Sequence, residues 1–126
     1  MSNAPTVLMG LVPLIRAVVR SSTTATATTV TADDSGTLFV NLSTSAHTYT
    51  LPVVALGAGK SWMFFNGDGT STIAVTSGTA DVMMCDDDAA ATTNTSSTDA
   101  VGDCLWVIGD GTYYYCFEIH GSYTAT

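Results

Sequence analysis

The tetrapeptide Gly-Asp-Gly-Thr occurs twice, at residues 67–70 and 109–112. An acid between two glycines suits either an ion-holding loop or a tight turn. One Asp per copy, with no companion ligands at short spacing, is too little for a calcium loop. Both copies lie between apolar, aromatic runs, and Asp-Gly between strands favours a turn with positive φ at its central residues. Both are therefore read as hairpin turns.

The other candidate chemistry fails on spacing. "GAGKS" at 57–61 resembles a phosphate loop, but the first glycine of that signature would fall on Val54. The run after it, "SWMFFN", reads as a strand, whereas the motif must open a helix. Asp86, Asp87 and Asp88 are consecutive, without the alternate spacing, glycine and terminal Glu of a calcium loop, and read as a solvated turn. His47 and His120 have no nucleophile in a recognisable setting, and Glu118 is the only Glu. No G-x-S-x-G or H-E-x-x-H occurs. The expectation is a protein that is not an enzyme, with no catalytic residue, cofactor or metal.

Cys85, Cys104 and Cys116 are odd in number and form no C-x-x-C pair, so free thiols in a reducing compartment are expected. Whether Cys104 meets Cys116 depends on the second Gly-Asp-Gly-Thr loop. A three-residue loop centred on Asp110 would set them opposite each other. A two- or four-residue loop centred on Asp110-Gly111 would set Cys104 opposite Phe117 and Cys116 opposite Leu105.

These residues must be positioned by a chain of 126 residues, room for one domain. Hydrophobic residues make up 46%, enough for a core, while charged residues are only 11% against a usual ~25%. Net charge is −8, and from residue 21 onward Lys60 alone faces all eleven acids. Such a body repels nucleic acid and anionic membranes. Few charges and much Thr suit exposed β-strands and surfaces packed against partners.

Residues 1–20 form a nearly continuous apolar strip, interrupted by Gly10 and Pro13. It is too short and broken to span a bilayer, and Arg16 and Arg20 come too late for an export signal. It is read as an inner strand, as an arm laid across a partner, or as a short helix. Residues 21–36 read as a Thr-rich linker or edge strand, ending in the turn Asp33-Asp34-Ser35-Gly36. From 37 to 126 short strands follow one another: 37–42, 47–52, 61–66, 71–77, 81–84, 104–108 and 112–120. Residues 85–103 read as an exposed polar excursion, and "GSYTAT" as a tail. No window has helical periodicity with a cap. The fold class expected is all-β, an antiparallel β-sandwich or jelly-roll-like small barrel with an N-terminal apolar arm.

Aromatics gather beside the two Gly-Asp-Gly-Thr copies. In the last strand Tyr113, Tyr115, Phe117 and Ile119 share one face, and Tyr114, Cys116, Glu118 and His120 the other. Large side chains on both faces imply that one face lines the core and the other touches a subunit, with ordinary burial within one domain and a sugar-stacking platform as the competing readings.

The order "TADDSGTLFVNLSTSAHTYTLP", "GAGKSWMFFNGDGTSTIAVTSGTADVM" and "GDCLWVIGDGTYYYCFEIHGSYT" resembles β-rich structural modules of tailed bacteriophages, namely capsid decoration (cement) proteins and head- or tail-fibre domains. The resemblance spans residues 30–124 and rests on turn and strand signatures rather than a reactive centre. It implies a virion component, assembled in the host cytoplasm, that sits as a homotrimer on the capsid exterior, binds the major capsid protein and braces the shell. The residues then expected to contact capsid or neighbour are Leu8, Met9, Leu11, Val12, Leu14, Ile15 and Arg16 in the arm. Trp106 and Tyr114 are expected at subunit contacts. The alternative is a fibre or adhesin module binding host-surface glycan.

Overall fold

The computed structural model describes residues 15–96 and 101–126 of the chain. Alternation creates the elements. In β3 (Thr37–Asn41) residues 37, 39 and 41 are buried while Leu38 and Val40 are half-buried. The same period of two runs through β4 (His47–Thr50), β5 (Ser61–Asn66), β6 (Ile73–Thr76) and β8 (Thr93–Ser96). The remaining strands are β1 (Ala17–Arg20), β2 (Ala27–Thr29), β7 (Met83–Met84), β9 (Cys104–Gly109), β10 (Tyr114–His120) and β11 (Tyr123–Ala125). They form two packed sheets, ordered β1-β3-β5-β9-β10-β7 (sheet A) and β11-β8-β6-β4-β2 (sheet B). The chain is thus the all-β sandwich its composition and turns imply.

Strand direction departs from the antiparallel expectation. From β1 to β6 the chain alternates between the sheets, so β1, β3 and β5 pair in parallel, as do β2, β4 and β6. Each circuit stacks on the one before it, twenty residues apart at Ala17–Thr37 and twenty-five at Leu38–Met63. Antiparallel pairing begins with β8 on β6 and β9 on β5. Alternation has the same period in both directions, and only the connections distinguish them.

Several expected boundaries move. Residues 17–20, placed in the arm, pair with β3 as the edge of sheet A. Within the Thr-rich segment, β2 is the edge strand of sheet B. The polar excursion contains β8, and the tail contains β11, which pairs with it. The first Gly-Asp-Gly-Thr is not a hairpin but the corner between β5 in sheet A and β6 in sheet B. Asp68 Oδ2 holds that corner, accepting from Thr70 N at 2.9 Å, Thr70 Oγ1 at 2.7 Å and Ser71 Oγ at 3.1 Å. The second copy is a hairpin turn, closed by the pair Gly109–Tyr114, with Gly111 at φ +90°. Asp110 Oδ1 accepts from Thr112 N and Tyr113 N. Residues 110–113 make a four-residue loop centred one position later than expected, so Cys116 falls opposite Val107 and, past a bulge, Cys104 opposite His120.

Between the sheets lies an aromatic core. Phe39 stacks on Phe64 with ring centres 5.5 Å apart, and Tyr49 tilts against both at 5.6 and 5.1 Å. Burying each such side chain contributes about 1.5–3 kcal/mol. At one corner the core turns polar. Asn41 Nδ2 donates to its neighbour across the parallel register, Asn66 Oδ1, at 3.1 Å, and Asn66 Nδ2 donates to the Ser71 carbonyl at 2.9 Å. Asn41 Oδ1 accepts from Ser43 N and faces His47 Nδ1 at 2.9 Å. An oxygen acceptor without a proton cannot donate, so Nδ1 carries a proton, and Nε2 lies 2.7 Å from the Thr28 hydroxyl. Burial lowers the His47 pKa below its ordinary 6.5, which favours the neutral ring.

Candidate functional site

The parallel and antiparallel registers align side chains into rows on the outside of sheet A. One row runs Val18, Leu38, Met63, Trp106 and Phe117 across β1, β3, β5, β9 and β10. A second runs Ser61, Ile108, Tyr115 and Met84, and a third Arg20, Val40, Phe65 and Cys104. Strands ~4.8 Å apart and same-face residues ~7 Å apart give a footprint of roughly 20 by 14 Å. No acid lies in these rows, and Arg20, at the edge, is their only charge. Phe117 is 48% exposed and Val18 59% exposed. The other large residues are half-buried because they shield one another, as Trp106 and Phe117 do with ring centres 5.7 Å apart.

The face is held rigidly. Behind Met63 and Phe65, the alternate residues Trp62 and Phe64 are at most 1% exposed, so the strand cannot rotate without exposing the core. The Tyr115 hydroxyl donates to Asp110 Oδ2 at 2.6 Å, pinning its ring beside the hairpin. That bond raises the Tyr115 pKa and lowers that of Asp110. The outside of sheet B has the same architecture and opposite chemistry. Its rows are Ala27, Thr48, Ala74, Thr95 and Thr124, then Thr29, Thr50, Thr76 and Thr93. Its hydroxyls bond to their own sheet, Thr93 Oγ1 to Thr76 Oγ1 at 2.9 Å and Thr76 Oγ1 to the Thr92 carbonyl at 3.2 Å.

Trp106 sits near the centre of the apolar face. Tyr114 does not, and its assignment to a subunit contact is corrected. It is 0% exposed, with its ring edge-on to Trp62 at 5.9 Å and its hydroxyl donating to the Pro52 carbonyl at 2.7 Å. Two glycines make its slot: a Cβ on Gly57 would stand 2.6 Å from the ring, and one on Gly109 2.9 Å. The outward face of β10 is that of Tyr115 and Phe117 instead. Ile15 is 37% exposed just before β1. Arg16, expected to reach a partner, directs Nε and Nη2 to its own Ser35 carbonyl. Leu8, Met9, Leu11, Val12 and Leu14 lie outside the described residues.

Leu38, Met63, Phe65 and Ile108 were not singled out by sequence. Their signal was present in "SWMFFN", where residues of both parities are large and apolar, as in a strand covered on both sides. Among the described residues no three His, Cys, Asp or Glu side chains gather as a metal site. No helix among them is long and apolar enough to cross a membrane. Compared with known proteins, the chain matches no family model, no curated protein and no solved structure.

Proposed function

We propose that the protein is a structural binding component that self-associates, as a trimer, and decorates the outside of a phage capsid, bracing the shell. The observation that carries the binding part of this reading is the apolar outer face of sheet A, whose rows hold no acid and a single charge, Arg20, at the edge. A rigid, contiguous apolar face with polar surroundings is the signature of an interface core. Its footprint is smaller than the ~800 Å² that each partner commonly contributes, so further contact must surround it. The apolar sequence before Ile15 is the proposed source, because β1 brings the chain into the sheet at the edge of this face.

The capsid assignment rests on the resemblance of the strand and turn order to phage decoration modules and fits a body with few charges and an acidic exterior. The test is co-sedimentation of the purified chain with mature capsids. Saturation at a stoichiometry tied to the lattice supports the assignment. Failure to bind capsids, together with glycan binding that depends on Trp106, would move the protein to the fibre or adhesin class.

A further inference from the structure

β7 and β10 run parallel, with Met83 opposite Tyr114 and Met84 opposite Tyr115. The next step along both strands brings Cys85 opposite Cys116. Neighbouring strands lie ~4.8 Å apart, inside the Cα separation of ~4.4–6.8 Å that a disulfide spans. Both side chains pack against the core, and both line the same groove. They are reachable as well as close. A groove of about 640 Å³ opens over them, with Met84, Asp86, Tyr115 and Glu118 among its lining. Cys104, by contrast, is 7% exposed and stands opposite His120 and Phe65.

We propose that Cys85 and Cys116 form a reversible thiol–disulfide pair, closed by exchange with a low-molecular-weight disulfide. The two thiols differ in role. The hydrogen bond from Cys116 lowers the Cys85 pKa, against burial and the charges of Asp87, Asp88 and Glu118. The same bond and burial raise that of Cys116. Cys85, just past the edge strand β7, is the attacking thiol, and Cys116, within β10, the resolving thiol. The Cys85 thiolate attacks one sulfur of the external disulfide, whose S–S bond breaks and releases one thiol. Cys116, losing its proton, then attacks Cys85 Sγ and expels the second thiol. The protein gives up two protons and two electrons, and the external disulfide becomes two thiols.

The bond would fasten a two-residue edge strand and the acidic turn after it to β10. In the free-thiol form that edge is held by its short pairing with β10 and by the Met83–Ala91 bridge.

The experiment is incubation of the full chain with oxidised glutathione, followed by intact mass and peptide mapping. The expected product has lost the mass of two hydrogens, carries a Cys85–Cys116 link, melts higher and reverts with dithiothreitol. Cys104→Ser should behave like the wild type, and Cys116→Ser should stop at a glutathione adduct on Cys85. A link through Cys104, a stable glutathione adduct on the wild type, or no reaction until the chain is unfolded would each overturn the proposal. The wild-type peptide map decides the matter even if a variant folds poorly.

Discussion

The outer faces of sheets A and B are built on the same principle and finished differently. Both are flat arrays in which strand register lines side chains up in rows, and both are almost free of charge. Sheet B fills its rows with Thr and Ala, and the Thr76 and Thr93 hydroxyls bond within the sheet. Sheet A fills its rows with Leu, Met, Phe, Trp and Tyr, a large apolar surface that no other described element packs over. Low charge alone therefore does not mark a docking surface. What separates the faces is side-chain size, and by that criterion sheet A is the side proposed as the docking face.

The largest effect should come from placing a charge at the centre of sheet A. Trp106→Asp should weaken self-association at least ~100-fold, as loss of a buried aromatic anchor does, while Thr76→Asp on sheet B leaves it unchanged. Equilibrium sedimentation of both variants, with a melting curve to verify folding, checks this. If the two variants behave alike, the faces are not functionally different.

Next in size is the polar corner that keeps the parallel strands in register. Asn41→Ala leaves Asn66, Ser43 and His47 short of a partner and should cost about 2–3 kcal/mol in urea unfolding. Tyr114→Phe removes one hydrogen bond to the Pro52 carbonyl and should cost about 1 kcal/mol, with association unaffected. Weakened association with unchanged stability would return Tyr114 to the interface.

The smallest effect is a pH slope. His47 has a folded pKa below its unfolded value near 6.5, so the unfolded chain binds the proton first. The stability it contributes is whole above pH 6.5 and is lost as pH falls through the folded pKa. His47→Gln should flatten that part of the curve, as read by thermal melts from pH 7.5 to 4.5.

The sandwich was legible because turn residues and period-two runs mark strands without any knowledge of their partners. Direction was not, since Leu38 meets Met63 through connections that cross between sheets, and the first Gly-Asp-Gly-Thr looks like a hairpin when read alone. β8 was hidden by its composition: Asn94 and Ser96 are buried polar residues in a run that reads as a loop. Ser96 occupies that place because its Oγ accepts from Ile73 N at 2.9 Å, a partner only the fold supplies. At the candidate site, the aromatic clustering was visible and Trp106 was found from it. Which face of β10 pointed inward was decided by Gly57 and Gly109 making room for Tyr114. The Cys85–Cys116 proximity depends on a parallel pairing between residues thirty-one apart, for which the sequence carries no local mark.

The solution mass of the full chain, measured by light scattering beside Trp106→Asp, bears most directly on the outer face of sheet A. The wild type should have about three times the 13.0 kDa chain mass, and the variant should fall to a single chain. A wild type that remains a 13.0 kDa monomer at high concentration, or a variant whose assembly equals that of the wild type, would contradict the assignment of this face as the interface.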